Sequence, residues 1–163
     1  MEELSKEILS QLLPAEKEFV PQKAVHPSDV DHWTPAVLLE RAAYLRKMAR
    51  HGDGSAGETL KEFPRHAAML SVRHRDGQAE VHENFADLFY VLDGRATLLS
   101  GGAVVGAVEV SAGETRGVAL EGSVRQELRS GDLAHVPAGV PHQMLVSSEN
   151  AFTALVLKIQ EKE

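Results

Sequence analysis

The stretch Gly131-Asp-Leu-Ala-His-Val-Pro137-Ala-Gly139-Val-Pro-His142 decides the reading of this chain. Leu133 to Val136 is β-prone, and the Pro-Ala-Gly-Val-Pro that follows is a rigid turn, so His142 opens the next strand. A second stretch lies upstream: Glu80-Val-His82-Glu-Asn-Phe-Ala-Asp87-Leu-Phe-Tyr-Val-Leu-Asp-Gly94. Glu80 and His82 stand two apart, so on a strand they face the same side. Asp87 follows a short reversal and starts a strand that shares its face with Phe89 and Val91. An antiparallel return brings Asp87 toward His82. If the two stretches face each other across a barrel, Glu80, His82, Asp87 and His142 converge. Two imidazoles with one or two carboxylates are a ligand set for a divalent metal.

The surroundings fit such a barrel. Turn signals fall at Asp76-Gly77, Asp93-Gly94, Gly101-Gly102, Ala112-Gly113, Glu121-Gly122, Ser130-Gly131 and Ala138-Gly139. Short β-prone runs lie between them, such as Met69–Arg73, Leu88–Leu92, Ala103–Val110, Leu133–Val136 and Phe152–Ile159. Many short strands with no long helical pattern between them predict an all-β sandwich or barrel. Residues 63–163 are assigned to it, and residues 1–62 to a helical and linking N-terminal extension. Leu4, Ile8, Leu9, Leu12 and Leu13 predict a helix over Glu3 to Leu13, ended by Pro14. A second helix is predicted after Thr34 as cap and Pro35 as first residue, with Val37, Leu38, Leu45, Met48 and Ala49 as its apolar face and Gly52 as its end. Gly52 to Glu58 reads as a loop. Trp33 reads as a staple onto the barrel or a partner chain.

These motifs resemble those of the cupin superfamily. The family's first motif, G-x5-H-x-H-x3–4-E-x6-G, is matched at His82, Asp87 and Gly94. Its second, G-x5-P-x-G-x2-H-x3-N, is matched without a gap at Gly131, Pro137, Gly139 and His142. Glu80 stands where the family has its first histidine, Asp87 where it has glutamate and Val146 where it has the final asparagine. The first glycine has no match, since position 74 is His74. The resemblance covers residues 67 to 159 and implies a double-stranded β-helix (jelly-roll) barrel with a metal pocket. It implies that His82, His142 and Glu80 bind a divalent metal (Fe, Mn, Zn or Ni), with Asp87 as fourth ligand or as a partner behind the ligands. It also implies a homodimer.

Composition narrows the function classes. The chain has 163 residues, no cysteine and eight histidines. Disulfides, thiolate metal sites and a cysteine nucleophile are excluded, so any metal has nitrogen and oxygen ligands. A net charge of −7 makes a nucleic-acid backbone a poor partner. No run approaches the roughly 20 apolar residues of a membrane span. The acidic, amphipathic start lacks the marks of a signal peptide, so a cytoplasmic location is expected.

Other residues have less support. His74 and His135 are possible pocket residues whose facing periodicity leaves open. Phe89 could shape the pocket or only pack. Arg116, in Gly-Glu-Thr-Arg-Gly, reads as a solvated loop arginine, with anchoring of an anionic substrate as the other reading. The function expected is a small metal-dependent enzyme acting on a small organic molecule. A dioxygenase-like reaction comes first, because two histidines and a carboxylate leave open positions on iron or manganese. The alternatives are a metal-dependent lyase or isomerase, with Asp87 or Glu80 as general base, and a non-enzymatic module that binds a small metabolite.

Overall fold

The computed structural model describes residues 30–147, 149 and 151–163. The helix expected over Glu3 to Leu13 lies outside them. Trp33 to Glu163 forms one unit.

Helix α1 (Pro35–His51) opens as its sequence dictates. The Thr34 hydroxyl accepts from the Val37 amide at 3.3 Å, and Pro35 occupies the first turn. At the other end the Gly52 amide donates to the Met48 carbonyl at 3.0 Å, with Arg50 and His51 in the last turn. Its buried stripe is Leu38, Arg41, Ala42, Leu45 and Ala49. Val37, expected on that face, points outward, and Arg41 takes an inner position. There it pairs with Glu58, its Nη2 donating at 2.9 Å. Leu38 and Leu45 pack on Leu60, Ala68, Leu70 and Val72, each burial contributing about 2 kcal/mol. Trp33 joins this cluster.

The rest is strand. In chain order these are β1 (Ser55–Glu62), β2 (His66–Arg73), β3 (Ala79–His82), β4 (Phe85–Asp93), β5 (Arg95–Ser100), β6 (Ala103–Val105) and β7 (Val108–Ser111). There follow β8 (Glu114–Gly117), β9 (Ala119–Glu121), β10 (Val124–Arg129), β11 (Leu133–Val136), β12 (His142–Leu145) and β13 (Phe152–Gln160). One sheet has the order β1-β2-β13-β4-β11, the other β10-β5-β12-β3-β8-β7, and β6 pairs with β9. Every pairing is antiparallel. Strand structure begins at Ser55, inside the stretch expected to be loop and linker. β1 pairs with β2 from Ser55↔Arg73 to Glu62↔Ala67 and lies under α1.

Alternation along the strands separates two interiors. On β2, Ala68, Leu70 and Val72 pack under α1, while Met69, Ser71 and Arg73 line a cavity on the opposite face. On β13, Leu155 and Leu157 join the helix cluster, while Ala154, Val156 and Lys158 line the cavity. Deeper in, Val91, Ala96, Leu98, Leu128, Val136, Met144 and Phe152 form an apolar core. The Asp93-Gly94 turn needs its glycine: φ is +81°, and a Cβ would lie 2.2 Å from the Ala151 carbonyl oxygen.

Candidate metal centre

Strand register builds the site. On β3, Glu80 lies directly opposite His142 of β12 on one side and Arg116 of β8 on the other. His82, two residues on, lies opposite Glu114. On β4, Asp87 lies opposite Lys158 of β13. Cross-strand neighbours are the natural contact partners in a sheet, so each charged residue meets an opposite charge or an imidazole. Glu80, His82, Asp87, Phe89 and His142 all line one cavity of about 420 Å³.

The distances are short and mutual. His82 Nε2 lies 3.3 Å from a Glu80 oxygen and 3.2 Å from Asp87 Oδ2, and His142 Nε2 lies 3.4 Å from the same Asp87 oxygen. His82, Asp87 and His142 are buried, each 5 % exposed or less. The two imidazole rings are 5.3 Å apart, and Phe89 meets His142 edge-on at 6.3 Å.

Both histidines are held from behind. His82 Nδ1 lies 2.5 Å from Glu114 Oε2, and a carboxylate only accepts, so Nδ1 carries the proton. His142 Nδ1 lies 3.1 Å from the Val140 carbonyl and donates to it for the same reason. In the neutral ring each Nε2 therefore turns a lone pair toward the carboxylates. His82 Nε2 is buried with no hydrogen-bond partner among the described residues. Such an orphan calls for a proton or a cation.

A divalent cation fits that demand. One ligand atom each from Glu80, His82 and His142 lie within 4.8 Å of one another. Two atoms each about 2.1 Å from one ion are about 3.0–3.4 Å apart at octahedral to tetrahedral angles, which is the separation of His82 from Glu80 and of both histidines from Asp87. Histidine ligands backed by a carboxylate and a carbonyl are the usual support of such centres.

Electrostatics agrees. Burial disfavours charge on His82, but the contacts with Asp87 and Glu80 outweigh it and raise its pKa to about 9. Burial likewise pushes Asp87 up, yet His142, His82 and Lys158 hold its carboxyl far below the usual range. Glu80 is also lowered: the His82 contact and the charges of Arg116, His142 and Arg73 overcome its burial. Both carboxylates are therefore ionised at neutral pH.

Three cations frame the centre. Arg73 Nη2 and Arg116 Nη1 each lie 3.5 Å from a different Glu80 oxygen, and Lys158 Nζ lies 3.3 Å from Asp87 Oδ1. Arg116 is therefore a half-buried strand residue beside Glu80, not a solvated loop residue. Neither His135 nor His74 lines this cavity. His135 is about half exposed and sits 3.4 Å from Glu161. His74 is held below its usual pKa by burial and by Arg50 and Arg46 of α1. Sequence reading missed Glu114, Arg73 and Lys158. Only its place two residues before Arg116 in Gly-Glu-Thr-Arg-Gly could have pointed to Glu114.

No protein-family model matches the chain, and no curated protein matches it in sequence. Solved structures do. An uncharacterized conserved protein with a double-stranded beta-helix domain from Klebsiella pneumoniae is similar at 14 % identity, covering 81 % of this chain and 91 % of its own, with a TM-score of 0.55. The DMSP lyase DddQ from Ruegeria pomeroyi is similar at 21 % identity, covering 98 % of this chain and 90 % of its own, with a TM-score of 0.52. The Cnp3 cupin domain of Schizosaccharomyces pombe is similar at 12 % identity, covering 66 % and 65 %, with a TM-score of 0.50. Together with the sheet order, these likenesses show that the chain has the double-stranded β-helix fold, the fold named for the Klebsiella protein and similar to that of the Cnp3 cupin domain.

Proposed function

We propose that this chain is a small metal-dependent enzyme of the dioxygenase type, acting on a small organic molecule. The observation that carries the reading is the convergence of His82 and His142 Nε2 with the Glu80 and Asp87 carboxylates on one wall of the cavity. A divalent ion held there would supply Lewis acidity and, as iron or manganese, a redox couple. Glu114 and the Val140 carbonyl keep both lone pairs aimed inward. Lys158 steadies the ionised form of Asp87. The apolar wall of Met69, Phe89, Met144 and Phe152 excludes water and accepts a carbon skeleton. Asp87, held far below the usual carboxylate range, is a weak base, which favours a ligand role for it over proton abstraction.

A metal-dependent lyase or isomerase is the second reading, favoured by the similarity to the DMSP lyase DddQ over 98 % of this chain. Glu80 would then take the proton. Oxygen consumption by the Fe(II)-loaded protein over a panel of small organic molecules separates the two. Uptake with one of them is expected. Metal-dependent turnover without uptake moves the assignment to lyase or isomerase, and saturable binding without turnover makes the chain a binding module. We expect a homodimer. Tyr90 and Leu133, opposite each other on β4 and β11 and both exposed, offer apolar surface for it. A monomer in light scattering at micromolar concentration contradicts that.

A further inference from the structure

We propose that the cavity selects small organic carboxylates, gripped between Arg73 and Arg116 while the rest of the molecule lies toward His82 and His142. This deepens the metal-dependent reading and rests on it for the charge balance that follows.

Charge is the first reason. Arg73, Arg116 and Lys158 face Glu80, Asp87 and Glu114. With neutral imidazoles these six charges cancel. A divalent cation at the histidines leaves two positive charges uncompensated beside an apolar core. Buried charge without a partner is costly, so a cavity of this balance favours an anion.

Geometry is the second. The two guanidinium groups flank Glu80 from opposite strands, one per carboxylate oxygen, both at 3.5 Å. Charge-assisted hydrogen bonds close to about 2.7–2.9 Å, so neither arginine is committed to Glu80. Arg116 reaches Glu114 at 3.3 Å, also loose. Both arginines line the cavity and remain about a quarter exposed. Arg73 is backed by the turn at Gly77, where a Cβ would come 3.0 Å from its Nη1. That turn is itself held by Gln143 Nε2, which donates to the Gly77 carbonyl at 2.8 Å. A forked guanidinium matches a carboxylate in two parallel bonds, which a lysine cannot reproduce. In the same cavity, Met69, Phe89, Met144, Phe152 and Val156 present apolar surface for a short carbon chain.

The test is a titration followed by NMR shifts of the zinc-loaded protein with butyrate, butyramide, n-butylamine and inorganic phosphate. Butyrate should bind at least about tenfold more tightly than the amide or the amine. Phosphate binding as tightly as butyrate would widen the class to anions in general and overturn the carboxylate assignment. Arg73→Gln and Arg116→Gln should each weaken butyrate about tenfold, while zinc affinity, measured separately, does not fall. Butyrate bound no better than butyramide, or bound equally by both variants and the parent, overturns the proposal. The same titration on metal-free protein separates the two ideas. Selectivity for butyrate in a protein that takes up no zinc sinks the metal centre and upholds the arginine grip. Stoichiometric zinc without that selectivity does the reverse.

Discussion

Glu114 offers the sharpest perturbation of the centre, because it touches His82 from the side away from the cavity. Its carboxylate accepts from His82 Nδ1 at 2.5 Å and fixes which nitrogen faces inward. A hydrogen bond to a charged partner contributes about 1.5–3 kcal/mol. Glu114→Gln keeps the shape and an accepting oxygen but removes the charge, which halves such a bond. The expected loss is about 1–1.5 kcal/mol, or about tenfold in metal affinity. Glu114→Ala removes the acceptor altogether and should cost about 10–100-fold, as partners behind metal ligands generally do. Zinc competition against a chromophoric chelator measures both, and histidine nitrogen NMR reports whether His82 keeps its Nδ1 proton. Zinc affinities within twofold of the parent in both variants would refute the assignment of Glu114 as the group that orients His82.

Four further outcomes follow from contacts described above. Metal must displace the proton that Asp87 and Glu80 hold on His82, whose pKa is about 9, so metal affinity should climb about tenfold per pH unit below that value; a flat profile between about pH 6 and 8 would contradict this. Without metal, the raised His82 pKa contributes stability that is full below its unfolded value of about 6.5 and lost as pH rises through about 9, a fall of up to about 3 kcal/mol. Urea unfolding with a chelator present should therefore show weakening from about pH 6.5 to 9.5, and unchanged or rising midpoints would count against it. Arg41→Ala strands Glu58 beneath α1 and should cost about 3–5 kcal/mol, while Arg41→Met with Glu58→Leu recovers most of it; equal stability of the single and double variants would show that the pair does not hold the helix. Gly94→Ala forces a side chain into the Ala151 carbonyl at φ +81°, and a thermal midpoint within a degree or two of the parent would show that the turn relaxes at little cost.

The geometry of the candidate site was legible where chemistry and local period coincide. Glu80 and His82 share a face because they are two apart, and the rigid Pro137-to-Pro141 turn delivers His142 to the start of β12. Asp87 shares its inward face with Phe89, as its spacing requires. What escaped depends on register between distant strands. Glu114, Arg73 and Lys158 reach the centre only because β8, β2 and β13 align as they do, and no local pattern encodes that alignment. His135 shows the limit from the other side. A period of two says which residues share a face but not which face looks inward, and this one looks out to Glu161. The early strand β1 was hidden for a third reason. Ser55-Ala-Gly-Glu-Thr-Leu-Lys-Glu62 has little β propensity of its own and is strand because β2 and α1 cover it.

Metal stoichiometry of the untagged chain tests the centre most directly. Isothermal titration with Mn(II) and Zn(II), backed by elemental analysis, should give one divalent ion per chain in the parent and none in His82→Ala or His142→Ala, with both variants still folded by circular dichroism. The same trace metal content in all three proteins would contradict a metal centre at these histidines.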